Sequence, residues 1–125
     1  MSLDPILWAM KDAPVANVEE WAVLVAMSER ADDDGCDTFQ SHASIAERTK
    51  MSSKTVANRI RDMEERGIIA RGNQSHPRLL DIPRDRRPVN YDLMIPLSWF
   101  SSADRIQRFR AEKGRGPLTH ANRRD

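Results

Sequence analysis

The chain has 125 residues, 39% of them hydrophobic and 31% charged, with a formal net charge of +1. That is apolar material for one modest core and not for two. Its longest apolar stretch, Trp21 to Met27, is far short of the roughly 20 residues that cross a bilayer, so no membrane association is expected. A single cysteine, Cys36, makes no internal disulfide and stands in no metal-ligand cluster, which sets the expectation of a reduced, cytoplasmic protein without metal or cofactor.

The charge is unevenly placed. Residues 1–40 hold nine acids against two bases (Lys11 and Arg30), whereas residues 41–125 hold eighteen bases against ten acids. Such a split separates a solvent- or partner-facing region from one that faces a polyanion.

From the N-terminus, Ile6, Leu7 and Met10 recur at helical spacing, with Trp8 beside them, and predict a short amphipathic helix over Asp4 to Lys11. Asp12-Ala-Pro14 breaks it. Asn17 is a good N-cap for a second helix, and Glu20 stands three residues later in the capping-box position. Trp21, Leu24, Val25 and Met27 make that helix apolar around most of its girth, so it is the expected core helix, running to about Arg30. The acidic run Ala31-Asp-Asp-Asp-Gly35 ends it. Its spacing is not that of a calcium loop, because the position that would need a bidentate acid is Ala43. Asp37 to Phe39 has room for only a short strand.

A third helix is expected from about His42 to Thr49, capped by Ser41, with Ile45 and Ala46 facing inward. Lys50-Met51 forms a tight connection, and Ser52 caps a fourth helix on which Val56, Ile60 and Met63 form one apolar stripe. Gly67 stops that helix, glycine being favoured where the backbone must turn left-handed. Ile68-Ile-Ala70 reads as a strand, Gly72 to Pro88 as a polar, proline-bearing excursion, and Val89 to Ile95 as a second strand, together a hairpin with a long tip. Trp99-Phe100 is an apolar pair that closes the core or meets a partner chain. A basic helix over Ser102 to about Lys113 carries Ile106 and Phe109 on one side. Glycine, proline and arginine from Gly114 onward argue against order there. His42 and His76 stand alone and read as surface residues.

The third and fourth helices, separated by about four residues, pack steeply so that the fourth projects. A projecting helix fits the major groove of B-DNA. Opposite its apolar stripe lie Ser53, Lys54, Asn58 and Arg61, with Thr55, Arg59 and Asp62 further round. Asn pairs with adenine, Arg with guanine, and Ser or Thr with phosphates or bases.

The stretch resembles the winged helix-turn-helix superfamily, in the version found in phage and plasmid replication proteins and related bacterial transcriptional regulators. The residues that carry the resemblance are Ala31-Asp-Asp-Asp-Gly35, Ser41, Ile45-Ala-Glu47, Ser52-Ser-Lys-Thr-Val56, Met63-Glu-Glu-Arg-Gly-Ile-Ile69 and Asn90-Tyr91-Asp-Leu93, about residues 18 to 95 in all. The family's DNA-facing positions fall on Ser52, Ser53, Thr55, Asn58 and Arg59. Lys50 stands where the family usually has Gly in the turn. Ser53 and Ala57 stand where it often has Arg.

The resemblance implies an α+β, mostly helical fold: a three-helix core and a β-hairpin wing, with extra helices at both ends. The implied organisation is an N-terminal extension over 1–16, the winged domain over 17–97, and a basic helix and tail over 98–125. The expected interface comprises Ser41, Lys50, Ser52, Ser53, Lys54, Thr55, Asn58, Arg59 and Arg61, joined by wing arginines Arg71, Arg78, Arg84, Arg86 and Arg87. A basic wing adds salt-dependent affinity by releasing counterions. Tail residues Arg105, Arg108, Arg110, Lys113, Arg115, Arg123 and Arg124 suggest an electrostatic arm, and Lys113-Gly-Arg-Gly-Pro117 loosely resembles a minor-groove hook.

The function implied first is sequence-specific binding of double-stranded DNA by a transcriptional regulator, working as a homodimer through its first or last helices. A plasmid or phage replication or partition factor, or the DNA-binding fragment of one, on repeated origin sites is the alternative. A winged protein-interaction module is a third. An enzyme is not expected, because the chain has no phosphate-binding glycine loop, no Gly-x-Ser-x-Gly and no clustered His/Asp/Glu set.

Overall fold

A computed structural model describes residues 2–123. Its elements, in chain order, are α1 (Leu3–Lys11), α2 (Val18–Ser28), α3 (His42–Thr49), α4 (Ser53–Glu65), β1 (Ile69–Arg71), α5 (Pro77–Leu80), β2 (Tyr91–Leu93), α6 (Ala103–Glu112) and α7 (His120–Arg123). Short 3₁₀ turns occur at Arg84–Arg86 and Leu97–Trp99. β1 and β2 pair antiparallel with Ile69 opposite Leu93, Ala70 opposite Asp92 and Arg71 opposite Tyr91. Thr38 adds an isolated bridge to the outer side of Tyr91, where a short strand was expected.

The helix boundaries follow from local chemistry. The Asn17 side chain accepts from the Glu20 backbone N–H, and the Glu20 carboxylate accepts from the Ala16 N–H, a capping box shifted by one residue at its return bond. Ser41 and Ser52 cap α3 and α4 by accepting from Ser44 N–H and Thr55 N–H. α4 ends in a Schellman arrangement: Ile68 N–H reaches Met63 O and Gly67 N–H reaches Glu64 O, with Gly67 at φ +77°.

The core sits where α2, α3 and α4 meet the hairpin. It contains Val23, Leu24 and Met27 from α2, Ile45 from α3, the Val56/Ile60/Met63 stripe, and Ile69, Leu93 and Ile95. The termini also belong to it. Trp8 of α1 is only 3% exposed, and Phe100, Ile106 and Leu118 are buried in the same cluster. Trp99-Phe100 therefore closes the core, the two rings meeting edge to face, and the Trp99 indole N–H donates to Asp12. Arg105 of α6 pairs with Asp4 of α1, so α6 is tied to α1.

Two expectations need correction. The segment from Arg115 to Arg123 is ordered: Leu118 is buried, and the Gln107 side chain bonds both the N–H and the carbonyl of Leu118. The reason is the acidic loop, whose carboxylates bind the arginines that composition alone assigned to a solvated tail. The excursion from Gly72 to Pro88 is not an extended hairpin tip either. It folds into α5 and a 3₁₀ turn around the fully buried Leu79.

Candidate nucleic-acid interface

The helix-turn-helix is set by two residues at its turn. Lys50 ends α3 in the left-handed region at φ +62°, and the N–H groups of Lys50 and Met51 both reach Ala46 O. A non-glycine residue in that conformation costs the folded backbone about 1–2 kcal/mol. Ser52 then starts α4, its hydroxyl donating to Thr55 Oγ1 while accepting from Thr55 N–H. With Val56, Ile60 and Met63 buried, helical geometry turns Ser53, Lys54 and Arg61 outward, all exposed, with Thr55 and Asn58 half-buried at the margins. The first turn of α4 carries no acid, which favours a phosphate at its free N–H groups.

The expected contact residues fall into two sets. Ser41, Lys50, Ser52, Ser53, Lys54, Thr55, Asn58 and Arg61 lie along the α3–α4 unit, and Lys50 and Lys54 have no carboxylate partner among the described residues. Arg84 and Arg86 are exposed on the 3₁₀ turn of the wing, also without such a partner among the described residues. Arg59, Arg71 and Arg87 are engaged within the fold. Arg59 lies between Glu19 of α2 and Asp62, both at 3.1 Å, with its side chain 24% exposed. Its guanidinium ties α4 to α2, which leaves it poorly placed to read a base. Arg71 pairs with Glu64 across the start of the hairpin. Arg87 donates to Leu80 O and Ile82 O and so closes the excursion. Arg78 faces a different cleft, described below.

Several residues hold the interface through long-range contacts that the sequence did not indicate. Glu20, 1% exposed, receives a forked pair of bonds from Arg66, which fixes the end of α4 against the start of α2. The Arg66 hydrogen bond holds the Glu20 carboxyl below its ordinary pKa against the opposing effect of burial. Asn90 is the hub of the wing. It donates to Asp37 Oδ1 and Asn73 O, while its backbone bonds Gly72 and Gln74. Burial raises the Asp92 pKa, opposed by a hydrogen bond from Asp37 N–H.

The tail is a strap and not an arm. Arg115 spans Asp32, Asp34 and Asp37, and Arg110 pairs with the fully buried Asp34 at 2.8 Å. Arg123 donates to Leu93 O and Ile95 O and approaches the Cys36 sulfur at 3.3 Å. Arg115 is thus unavailable as a minor-groove hook. Arg108 is exposed, and Arg124 lies outside the described residues. Among the described residues, no group of three or more His, Cys, Asp or Glu could hold a metal ion, and no helix is long and apolar enough to cross a membrane.

Three core helices, a tight α3–α4 turn and a two-stranded sheet with a folded wing make the architecture of a winged helix-turn-helix. Residues 39–70 match a family model described as winged helix-turn-helix DNA-binding. No curated protein and no solved structure matches the chain. The matched segment begins just after the Thr38 bridge, takes in α3 and α4 and ends within β1, and it supports a DNA-binding winged-helix protein.

Proposed function

We propose that the protein binds double-stranded DNA at specific sequences and regulates transcription from a cytoplasmic, nucleoid-associated location. α4 enters the major groove, and Arg84 and Arg86 of the wing reach the flanking backbone or minor groove. The observation that carries this reading is the division of α4: a wholly buried apolar stripe on one side, and on the other Ser53, Lys54, Asn58 and Arg61, with no acid in the first turn. Lys50, held left-handed at the turn, places a cation beside that face for a phosphate.

A homodimer on paired half-sites would raise specificity. Met10, Val18 and Trp21 of the N-terminal helices are large apolar side chains left exposed, Val18 by 74%, and they support a contact through α1 and α2. α6 is less suited to that role, because Ile106 is spent on the chain's own core.

The test is in vitro selection of duplex DNA by the full chain, followed by mass measurement of the complex. A defined site with two-fold symmetry and two copies bound is the expected result. Failure to enrich any sequence would remove the proposal of specific recognition, and one copy on an asymmetric site would remove the dimer.

A further inference from the structure

A cleft of about 590 Å³ is lined in part by Asp37 and Phe39, which flank the Thr38 bridge, and by Asp92 of β2. Its walls are the loop after α2, the α5 segment of the wing, and the strap that follows α6. Five bases line it (Arg30, Arg78, Arg110, Lys113 and Arg115) against three acids, Asp32, Asp37 and Asp92. Arg110 and Arg115 are committed to the acidic loop, and that loop also uses the buried Asp34. Arg30, Arg78 and Lys113 have no carboxylate partner among the described residues, and all three are exposed at the cleft. The surplus positive charge therefore sits on its walls, coming from three separate segments of the chain.

The cleft also contains an aromatic pair. The Phe39 and His76 rings stand 5.6 Å apart, tilted by 51°, and both line the space. Asn73 adds an amide able to donate and accept. The volume is that of a small-molecule site, in the general range of roughly 300–1,000 Å³. A concave, polar cleft of this size suits a compact charged ligand better than the convex backbone of a duplex.

We propose that this cleft binds a nucleotide, its phosphates held by Arg30, Arg78 and Lys113 and its base set against the Phe39–His76 pair. Charge-assisted contacts to phosphate oxygens are the strong class of hydrogen bond, and an aromatic face accepts any base. Arg78 and His76 belong to the α5 segment, so occupancy would brace the excursion that carries Arg84 and Arg86. That consequence for the wing rests on the DNA-binding reading. The binding does not, and it is measured on the protein alone.

The experiment is calorimetric titration of the full chain, without DNA, with ATP, GTP, CTP, UTP and inorganic tripolyphosphate. At least one nucleoside triphosphate is expected to bind saturably with Kd below about 1 mM, and more tightly than tripolyphosphate. Arg78→Ala and Lys113→Ala, both at exposed side chains, should each weaken that binding about tenfold, the loss of one charged contact. Phe39→Leu should weaken the nucleotide and leave tripolyphosphate unchanged. Absence of saturable binding by every probe, or binding that survives both cation substitutions, overturns the site. Equal affinities for tripolyphosphate and nucleotide, indifferent to Phe39→Leu, overturn the base contact. A chain that binds nucleotide but no duplex would refute DNA binding alone.

Discussion

Replacing Arg115 with alanine should destabilise the whole fold, although the residue lies in a stretch whose composition reads as a loose tail. Its guanidinium joins Asp32, Asp34 and Asp37 to the strap, with its side chain only 16% exposed. Burial alone would depress its pKa, but the three carboxylates more than reverse this, so it is charged wherever the protein is folded. Removing one partner of a buried ion pair costs about 3–5 kcal/mol, because the other charge stays buried. Asp34 retains Arg110, and Asp32 is partly solvated, which lowers the expectation to about 2–4 kcal/mol. That is a large share of the roughly 5–15 kcal/mol typical of a domain. Urea unfolding of Arg115→Ala, followed by tryptophan fluorescence, gives the loss directly. Arg115→Lys should recover only part of it, since one ammonium cannot span three carboxylates. Cys36 supplies a second readout, because both Arg110 and Arg123 touch its sulfur. Burial, aided by the charges of Asp92 and Asp34, pushes its thiol up to about 12, so a thiol reagent reacts only when the strap opens. A loss of 2–4 kcal/mol corresponds to labelling roughly 30- to 1,000-fold faster. A loss below about 1 kcal/mol with unchanged labelling would refute the strap.

Three further outcomes are expected. Glu20→Gln should cost about 1–2 kcal/mol at neutral pH, because the buried charge that Arg66 grips is gone. Its folded pKa is depressed, so this stability is present above the ordinary carboxylate range and lost as pH falls through the folded value; the variant and the wild type should converge in acid unfolding curves. Asp92→Asn should act in the opposite sense. Its folded pKa is raised by burial, so the charged form opposes folding at neutral pH; the variant should melt higher than wild type at pH 7, with the gain shrinking as pH falls through the folded pKa. Lys50→Gly relieves a left-handed lysine but frees the unfolded chain, so stability by urea titration should stay within about 1 kcal/mol of wild type. DNA affinity should nevertheless fall, and the slope of log K against log salt should lessen by about 1, the share of one phosphate contact.

Much of the helical framework was legible because local signals agreed. Ser41, Ser52, the Val56/Ile60/Met63 stripe and Gly67 each mark one boundary or face of the α3–α4 unit, and the structure uses each for that purpose. The side chains' partners were not legible. Arg59 stands at an exposed-looking helical position, yet Glu19, forty residues earlier, turns it toward α2. Asp32 and Asp34 read as part of the run that ends a helix and Asp37 as the start of a short strand, and none of them shows its partners, because Arg110 and Arg115 lie more than seventy residues downstream. The acidic first third of the chain and its basic tail were visible as separate facts. That they neutralise each other is a long-range pairing that no local periodicity records. The same holds for Leu79, which is fully buried and anchors the wing while its neighbour Leu80 stays exposed.

The central claim, that the outer face of α4 reads DNA, is tested most directly by measuring Asn58→Ala and Arg59→Ala on a selected duplex and on a scrambled one across a salt series. Asn58→Ala should lose about 1–3 kcal/mol on the selected site, little on the scrambled one, and keep its salt slope. Arg59→Ala, whose guanidinium is engaged by Glu19 and Asp62, should lose stability and not discrimination. Equal losses on both duplexes for Asn58→Ala, or none on either, would contradict the account.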